Sequence, residues 1–82
     1  MAWFVYIVRC TDHSLYTGIT WNLKKRIQEH NSKKYIGYTS NRIPVRLVYW
    51  ERFNDRIQAA KKEKEVKGWV RSKKEKLINS LH

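Results

Sequence analysis

The stretch Trp3-Phe-Val-Tyr-Ile-Val-Arg9 decides the fold of this chain. Its first six residues are aromatic or β-branched and are apolar on both alternating sides, which is typical of a strand in the middle of a sheet. Thr11-Asp-His-Ser14 predicts a turn, and Leu15-Tyr-Thr-Gly-Ile-Thr20 predicts a second strand. We therefore expect the chain to open with a β-hairpin.

Beyond the hairpin, the sequence predicts a helix, a loop and a third strand. The helix runs from Leu23 to about Asn31, with Asn22 as its N-cap. An irregular basic loop over residues 32–44 then leads into a strand from Val45 to Phe53.

Two more helices complete the predicted order. Asn54 or Asp55 caps the second helix, which reaches about Lys67 and ends before Gly68. Ser72-Lys-Lys-Glu75 has the form of a capping box for a third helix, whose apolar side consists of Leu77, Ile78 and Leu81. The order ββαβαα indicates one α+β domain over residues 1–82, with a small sheet covered by helices.

Charge is the strongest signal in the composition. Among 82 residues, Lys and Arg total 18 against seven Asp and Glu, which gives a formal net charge of +11. Such an excess favours an anionic partner, and nucleic acid fits best. The alternative is a basic protein with no polyanion partner. An acidic membrane surface is disfavoured because the basic residues are spread over the whole chain.

The sequence also bears on the protein's environment. Cys10 is the only cysteine, so no intrachain disulfide is expected. The apolar run from Trp3 to Val8 is too short for a signal peptide, and no stretch approaches the length of a membrane span. We expect a cytoplasmic protein. A domain of this size has little room for a deep pocket, so its active site should be an open concave surface.

The first predicted helix carries two cations on its apolar side. At 100° per residue, Leu23, Arg26, Ile27 and His30 fall within about 100° of one another. On one interpretation, Arg26 extends past the edge of the core and His30 is a satisfied core histidine. On the other, two cations one turn apart form an anion site, because Arg binds phosphate oxygens bidentately.

The second predicted helix carries a carboxylate on its inward side. Glu63 follows Ala59 by one turn and precedes Val66, whereas Glu65 lies on the opposite side among lysines. A carboxylate held against a sheet needs a cation. That cation is either a divalent metal such as Mg²⁺, which takes oxygen ligands, or Lys67 one turn on, in a structural ion pair.

The hairpin contributes two tyrosines. If Cys10 and Ser14 close a three-residue loop, Tyr6 and Tyr16 share one side of the hairpin and Gly18 lies opposite Tyr6. A glycine inside a strand often marks the close approach of a ligand or another backbone. A tyrosine hydroxyl beside it would hold a water or accept a proton. The simpler interpretation is that both tyrosines are core residues.

Known motifs for other chemistries are absent. Cys10, His13 and His30 lack the spacing of structural zinc ligands. The sequence has no P-loop, no dinucleotide fingerprint and no G-x-S-x-G elbow.

The pattern instead resembles the GIY-YIG nuclease superfamily, and most of all its small, stand-alone, single-domain bacterial proteins. The first motif is present as Val5-Tyr6-Ile7 and the second as Tyr16-Thr17-Gly18, with Val5 and Thr17 in place of the family's Gly and Ile. The resemblance covers nearly the whole chain. The other matching positions are Arg26 followed by His30, Tyr38-Thr39, the run from Arg42 to Val48, Ala59, Glu63 and Lys67.

The resemblance implies a three-stranded antiparallel sheet flanked by helices and the hydrolysis of phosphodiester bonds in nucleic acid. The sequence does not distinguish DNA from RNA, and we expect DNA before RNA. The resemblance also implies that Glu63 binds one divalent ion, Mg²⁺ or Mn²⁺, and that Arg26 stabilises the phosphoryl charge. Tyr6 or Tyr16 would position or deprotonate the attacking water, with His30 and Tyr38 assisting. The predicted nucleic-acid contacts are Gly18, Lys33, Lys34, Arg42 and Lys67.

Two other interpretations stay open. A binding module that cleaves weakly or not at all would rely on lysine-rich surfaces and would be indifferent to Glu63. Examples of such lysines are Lys33, Lys34, Lys73 and Lys74. A dock for another protein or for ribosomal RNA would bind free DNA poorly. We also expect a partner protein to supply target specificity, and exposed aromatics such as Trp21 or Trp69 would allow a weak dimer in place of a monomer.

Overall fold

The computed structural model describes residues 2–32, 37, 39 and 41–80, and in this part of the chain the strands form one antiparallel sheet in the order β2-β1-β3. The predicted order ββαβαα, the three-stranded sheet and the central place of the first strand are confirmed. The elements are β1 (Trp3–Arg9), β2 (Leu15–Thr20), α1 (Leu23–His30), β3 (Arg46–Phe53), α2 (Arg56–Lys67) and α3 (Arg71–Asn79).

Strand β1 is buried on both sides because helices pack against both faces of the sheet. Tyr6 and Val8 lie on the side that faces α1, where Leu23 and Ile27 pack against their cluster. Ile7 lies on the other side, in a cluster with residues of α2 and α3. Each fully buried aliphatic side chain contributes about 1.5–3 kcal/mol relative to an exposed one. We call these two surfaces the α1 side and the α2 side of the sheet.

The first two helices begin at the predicted caps. The Asn22 side chain accepts a hydrogen bond from the backbone N–H of Lys25 at 3.0 Å. Asp55 accepts one from the backbone N–H of Gln58 at 2.8 Å. Caps of this kind stabilise a helix by about 1 kcal/mol. They fix the start of each helix within three residues of the strand before it, so α1 follows β2 closely and α2 follows β3.

Asn31 corrects the predicted limits of α1 and β3. The helix ends at His30, and the Asn31 amide donates to the Val45 carbonyl at 3.1 Å and accepts from its N–H at 2.6 Å. Val45, predicted as the first strand residue, is therefore paired with Asn31, and β3 begins at Arg46. These two bonds hold the end of α1 next to the start of β3.

The predicted capping box of the third helix is wrong. Helix α3 begins at Arg71, its N-cap Val70 makes no side-chain cap bond, and Ser72 lies inside the helix. Glu75 does not turn back to the helix terminus, because it forms a 2.7 Å ion pair with Arg9 of β1. A doubly hydrogen-bonded ion pair is stronger than a local cap. On the predicted apolar side, Ile78 is buried and Leu77 is half-buried, whereas Leu81 lies outside the described residues.

The two aromatic residues predicted to be exposed differ. Trp21 is 51% exposed, as expected. Trp69 is half-buried against the core on the α2 side, so the expectation that it is exposed is wrong. Two ammonium groups contact its ring, with Lys62 Nζ 5.2 Å and Lys73 Nζ 4.2 Å from the ring centroid. Trp69 therefore joins α2 to α3. No helix in the described ranges is long and apolar enough to cross a membrane.

Candidate active site

The hairpin has the register on which the tyrosine prediction depended. The Cys10 N–H donates to the Ser14 carbonyl at 2.9 Å and closes the three-residue loop. In the resulting ladder, Tyr6 is paired with Gly18 and Val8 with Tyr16. Directly paired residues share a side of the sheet. Tyr6, Tyr16 and Gly18 therefore lie together on the α1 side, as predicted.

A buried hydrogen-bond chain links β1, α1 and the loop that follows α1. The Tyr6 hydroxyl lies 2.7 Å from His30 Nε2, and His30 Nδ1 lies 2.7 Å from Thr39 Oγ1. Tyr6 is 2% exposed, and His30 and Thr39 are fully buried. Both ring nitrogens of His30 are thus bonded, which agrees with a satisfied core histidine. Its partner, however, is one of the two candidate tyrosines.

The environment of His30 favours its neutral form. Burial lowers the pKa of His30 below its ordinary value of 6.5, and the positive charge of Arg26 lowers it further. A neutral imidazole has one donor nitrogen and one acceptor nitrogen. At neutral pH the ring can therefore accept a hydrogen bond from the Tyr6 phenol on one side and donate one to Thr39 on the other.

Tyr16 is the accessible member of this aromatic group. Its ring lies 5.3 Å from the His30 ring and 6.4 Å from the Tyr6 ring, measured between centroids. It is half-buried, whereas Tyr6 is buried. Because β2 is at the edge of the sheet, a side chain from α2 can also contact it: Lys67 Nζ lies 5.8 Å from the Tyr16 ring centroid. Tyr16 therefore lies between the His30 network and α2.

Glu63 lies on the inward side of α2, as the helical wheel predicted. Its side chain is 22% exposed, and Ala59 and Val66 beside it are fully buried. Glu65 is exposed. One Glu63 carboxylate oxygen lies 3.3 Å from Lys67 Nζ. The ion pair that the sequence offered as the alternative to a metal is thus present, and the same lysine contacts Tyr16.

Arg26 lies one turn before His30 on α1. Its side chain is 36% exposed and forms a 3.4 Å ion pair with Glu29 on the same helix. This partial exposure agrees with an Arg26 side chain that extends past the edge of the core, whereas the anion site stays a prediction. It also lines a shallow cavity with Thr20, Trp21, Asn22, Lys25 and Glu29.

The Tyr6 side chain leaves no room for a larger residue at Gly18. A Cβ atom at this position would lie 2.6 Å from the Tyr6 hydroxyl oxygen and 2.8 Å from the adjacent ring carbon. Gly18 is itself buried. The space beside Gly18, where the sequence predicted the approach of a ligand or another backbone, is therefore filled by the tyrosine that bonds His30.

The remaining predicted contacts are less centrally placed. Arg42 forms a 3.0 Å ion pair with Asp12 in the hairpin loop, and this contact lowers the pKa of Asp12, although the hydrogen bonds from Ser14 contribute more. Tyr38, Lys33 and Lys34 lie outside the described residues.

Sequence reasoning assigned no role to Thr39, which completes the buried chain. The signal available was its position directly after Tyr38 in the matched Tyr-Thr pair, but the path of a loop does not follow from residue type. Asn31 was likewise read as a helix residue, although an Asn directly after a helix often bonds backbone groups nearby.

Glu63 fits one hydrated divalent ion. Across residues 2–32, 37, 39 and 41–80, no three His, Cys, Asp or Glu residues are grouped as a metal cage. Mg²⁺ does not require one, because it retains several waters and is usually held by one or two carboxylates and substrate phosphates. The competing contact from half-exposed Lys67 stabilises by about 0–1 kcal/mol. A cation can therefore replace that lysine at small cost.

Comparison with known proteins gives a consistent family. Residues 2–76 match the family model described as the GIY-YIG catalytic domain. A UPF0213 protein of Desulfotalea psychrophila is 50% identical over 80 residues, which cover 96% of this chain and 73% of that protein. A UPF0213 protein of Haloquadratum walsbyi is 46% identical over 74 residues, 90% of this chain and 83% of that protein. The solution NMR structure of a UPF0213 protein from Bacillus halodurans is similar with a TM-score of 0.63 and 43% identity, covering 96% of this chain and 84% of that one.

Proposed function

This chain belongs to the GIY-YIG catalytic domain family, and from that premise we propose that it is a divalent-metal-dependent endonuclease that hydrolyses phosphodiester bonds in nucleic acid, with DNA as its substrate. Membership in the family supports a nuclease-type function. The observation that carries the proposal is the position of Tyr16, whose ring contacts the neutral His30 network on one side and Lys67, the partner of Glu63, on the other.

The tyrosines have different roles in this proposal. Tyr16 is half-buried, so its phenol is the one that an attacking water can meet, and we assign it the positioning of that water. Tyr6 is buried and supports the site from behind. With its proton on Nδ1, His30 donates to Thr39 Oγ1 and accepts at Nε2 from the Tyr6 hydroxyl. This hydrogen bond fixes the Tyr6 phenol, and His30 Nε2 is a proton acceptor within the site.

Arg26 is assigned to the charge of the phosphate. Its guanidinium is partly exposed, and within the described part of the chain it has one ion pair, at 3.4 Å to Glu29, which an incoming phosphate can replace. Arginine suits phosphate oxygens because its planar fork donates two parallel hydrogen bonds. Charge that develops on the phosphoryl oxygens in the transition state would be stabilised there.

Glu63 is the residue that would hold the metal. A bound Mg²⁺ or Mn²⁺ supplies Lewis-acid polarisation of a phosphoryl oxygen. If the Glu63 carboxylate held such an ion, Lys67 would be released from its 3.3 Å contact with that carboxylate, and its ammonium would be available to the nucleic-acid backbone. The net charge of +11 favours the approach of any polyanion.

The setting of this activity is also part of the proposal. We place the protein in the cytoplasm, where its single cysteine, which is buried at Cys10, stays reduced. We assign target choice to a partner protein.

A binding module that does not cleave is the second candidate. The observation in its favour is that Glu63 already has a counterion in Lys67. In that case the ion pair is structural, the basic surface binds the phosphate backbone, and the carboxylate is not needed for binding.

A cleavage panel separates these candidates. Labelled duplex, single-stranded, flap and junction DNAs, with matching RNAs, are incubated with the protein in Mg²⁺ or in EDTA. We expect Mg²⁺-dependent cutting that Glu63→Gln abolishes while binding persists. Glu65→Gln is the matched control, since it removes the same charge two residues away at an exposed position and should cut at the wild-type rate.

Binding of every substrate without cutting, unchanged by Glu63→Gln, would establish the binding module instead. Equal loss of cutting in Glu63→Gln and Glu65→Gln would show that only the overall charge matters, which would remove Glu63 from the metal site.

A further inference from the structure

The α1 side of the sheet carries aromatic rings beyond the tyrosine site. Trp50 is paired with Tyr6, and Phe4 is paired with Thr20 and Arg52, which places both rings on this side. Their centroids are 6.1 Å apart with an angle of 73° between the ring planes. Trp50 is nevertheless 43% exposed. An aromatic surface thus continues from buried Tyr6 out to solvent.

A third aromatic residue begins where β2 ends. Thr20 lies opposite Phe4, and the next residue, Trp21, is 51% exposed. Trp21 and Thr20 line the shallow cavity that also contains Lys25 and Arg26. That cavity measures about 160 Å³, well below the ~300 Å³ at which small-molecule sites begin. The region is therefore an open surface and not a metabolite pocket.

The cations on this surface are weakly neutralised. Lys25 and Arg52 are exposed, and in the described part of the chain neither side chain forms an ion pair or a hydrogen bond. Arg26 has the single long contact to Glu29. We use the name stacking face for this combination of aromatic rings and cations, which consists of the exposed Trp21 and Trp50, the half-buried Phe4, the exposed Lys25 and Arg52, and the partly exposed Arg26.

The combination suits a particular anionic partner. Exposure of a tryptophan ring to water is unfavourable. Exposed tryptophans beside cations therefore favour an occupant that offers both flat apolar rings and negative charge. Single-stranded nucleic acid offers both, because its bases are free to stack on aromatic side chains while its phosphates contact Lys and Arg. In a duplex the base faces are already stacked on each other. A second copy of this chain would bring the same cations and be repelled.

We propose that the stacking face binds unpaired bases of single-stranded nucleic acid, so that the substrate of the site is a single strand or the single-stranded part of a branched molecule. The proposal rests on the nuclease function proposed above and narrows its substrate class. The face adjoins that site directly, since Trp50 and Tyr6 are cross-strand neighbours and Arg26 belongs to both.

The test compares two single strands that differ only in their bases. Binding of a labelled oligothymidylate and of an abasic strand with the same length and charge is measured in EDTA, so that no cleavage occurs. We expect the wild-type protein to bind the base-bearing strand about tenfold more tightly or better, which corresponds to one or two stacked bases. Trp50→Ala and Trp21→Ala should reduce that preference and leave binding of the abasic strand unchanged.

Two further variants separate stacking from folding. Trp50→Phe keeps an aromatic ring and should retain most of the preference. Ile57→Ala changes a residue that is 69% exposed on α2, outside the stacking face, and should leave binding of both strands unchanged. A duplex of the same sequence should bind equally to the wild type and to Trp50→Ala.

Each contrary result has a separate meaning. Equal binding of the two single strands by the wild type would overturn the stacking face while leaving a nucleic-acid function intact. No binding of either strand or of the duplex would overturn the proposed function itself. Concentration-dependent dimerisation that Trp50→Ala abolishes would assign this face to a second copy of the chain and would also overturn the proposal.

Discussion

Glu63 on α2 and Glu75 on α3 are half-buried carboxylates that are paired with basic side chains. They differ in the number of these contacts and in the elements that the contacts join. Glu75 accepts two hydrogen bonds from Arg9, at 2.7 and 3.0 Å, and one from Arg71 at 3.2 Å. Arg71 also donates to the His13 carbonyl at 2.7 Å. We use the name clasp for Arg9, Arg71 and Glu75, which together join β1, the hairpin loop and α3.

Glu63 has a simpler partner. Among the residues that the structure describes, it has one ion pair, at 3.3 Å to Lys67 on the same helix, and the Lys67 side chain is 50% exposed. The difference indicates that Glu75, which two long-range hydrogen bonds from Arg9 hold in place, serves the fold. A carboxylate with one local and exchangeable partner is free to serve a ligand. The bond to Arg9 also lowers the pKa of Glu75 more than any other contact does.

Of the variants described next, substitution of Arg26 is expected to have the largest effect. Arg26→Ala should reduce cleavage by about 10²–10³-fold, the loss typical of one charge-stabilising donor, with little change in stability because its ion pair contributes about 0–1 kcal/mol. Steady-state cleavage and thermal unfolding measure the two effects. Lys24→Ala, an exposed cation on the same helix, is the matched control and should cut normally.

The Arg26 variant has a second readout. The positive charge of Arg26 helps to lower the pKa of His30, so NMR titration of the imidazole should show that pKa rising in Arg26→Ala. An unchanged pKa together with unchanged cleavage would remove Arg26 from the site.

A substitution on the buried side of the site is expected to lower stability, as a substitution in the clasp would. Gly18→Ala forces a Cβ against the buried Tyr6 ring, with contacts of 2.6, 2.8 and 3.0 Å. Overpacking of this kind costs about 1–3 kcal/mol. Urea unfolding should show this loss, and Gly68→Ala is the control because its new Cβ meets nothing closer than 3.5 Å. That substitution should be neutral or stabilise by up to ~1 kcal/mol. Equal stability of the two variants would contradict the packing of Tyr6 against Gly18.

The smallest expected effect is a difference in pH windows. His30 has a lowered folded pKa, so its unfolded form binds protons first, and stability should begin to fall as pH drops through about 6.5. Glu75 also has a lowered folded pKa, so its contribution is present above its ordinary value of 4.5 and is lost as pH falls further. Asp12 titrates in this second, acid window too.

Unfolding free energies measured at pH values from 8 to 3 should therefore show two separate losses. His30→Gln should remove the first loss and Glu75→Gln should reduce the second. A first loss that persists in His30→Gln would mean that another group causes it.

Local signals predicted most of the fold. The apolar character of residues 3–8 on both sides indicated a central strand. The register of the hairpin followed only on the condition that Cys10 and Ser14 close a three-residue loop, which the structure shows. Asn22 and Asp55 marked helix starts because a cap is a short-range interaction. The start of α3 could not be predicted this way, since Glu75 pairs with Arg9 across 66 positions of sequence and overrides the local capping pattern.

The candidate site was predicted in part for the same reason. Helical spacing alone placed Arg26, His30 and Glu63 on inward sides. The contact of Lys67 with Tyr16 depends instead on how α2 packs at the edge of the sheet. The bond from His30 to Thr39 depends on the path of a loop, and neither arrangement leaves a periodic signal in the sequence.

The central claim is that Glu63 serves a ligand and Glu75 serves the fold. It is tested most directly by comparing Glu63→Gln with Glu75→Gln, each assayed for Mg²⁺-dependent cleavage and for thermal unfolding. We expect Glu63→Gln to lose cleavage by about 10³-fold or more with a melting temperature lowered by less than about 5 °C. Glu75→Gln should melt roughly 5–20 °C lower and cut at the wild-type rate at temperatures where it is folded. Wild-type cleavage by Glu63→Gln, or a melting temperature lowered as far as that of Glu75→Gln, would contradict the account.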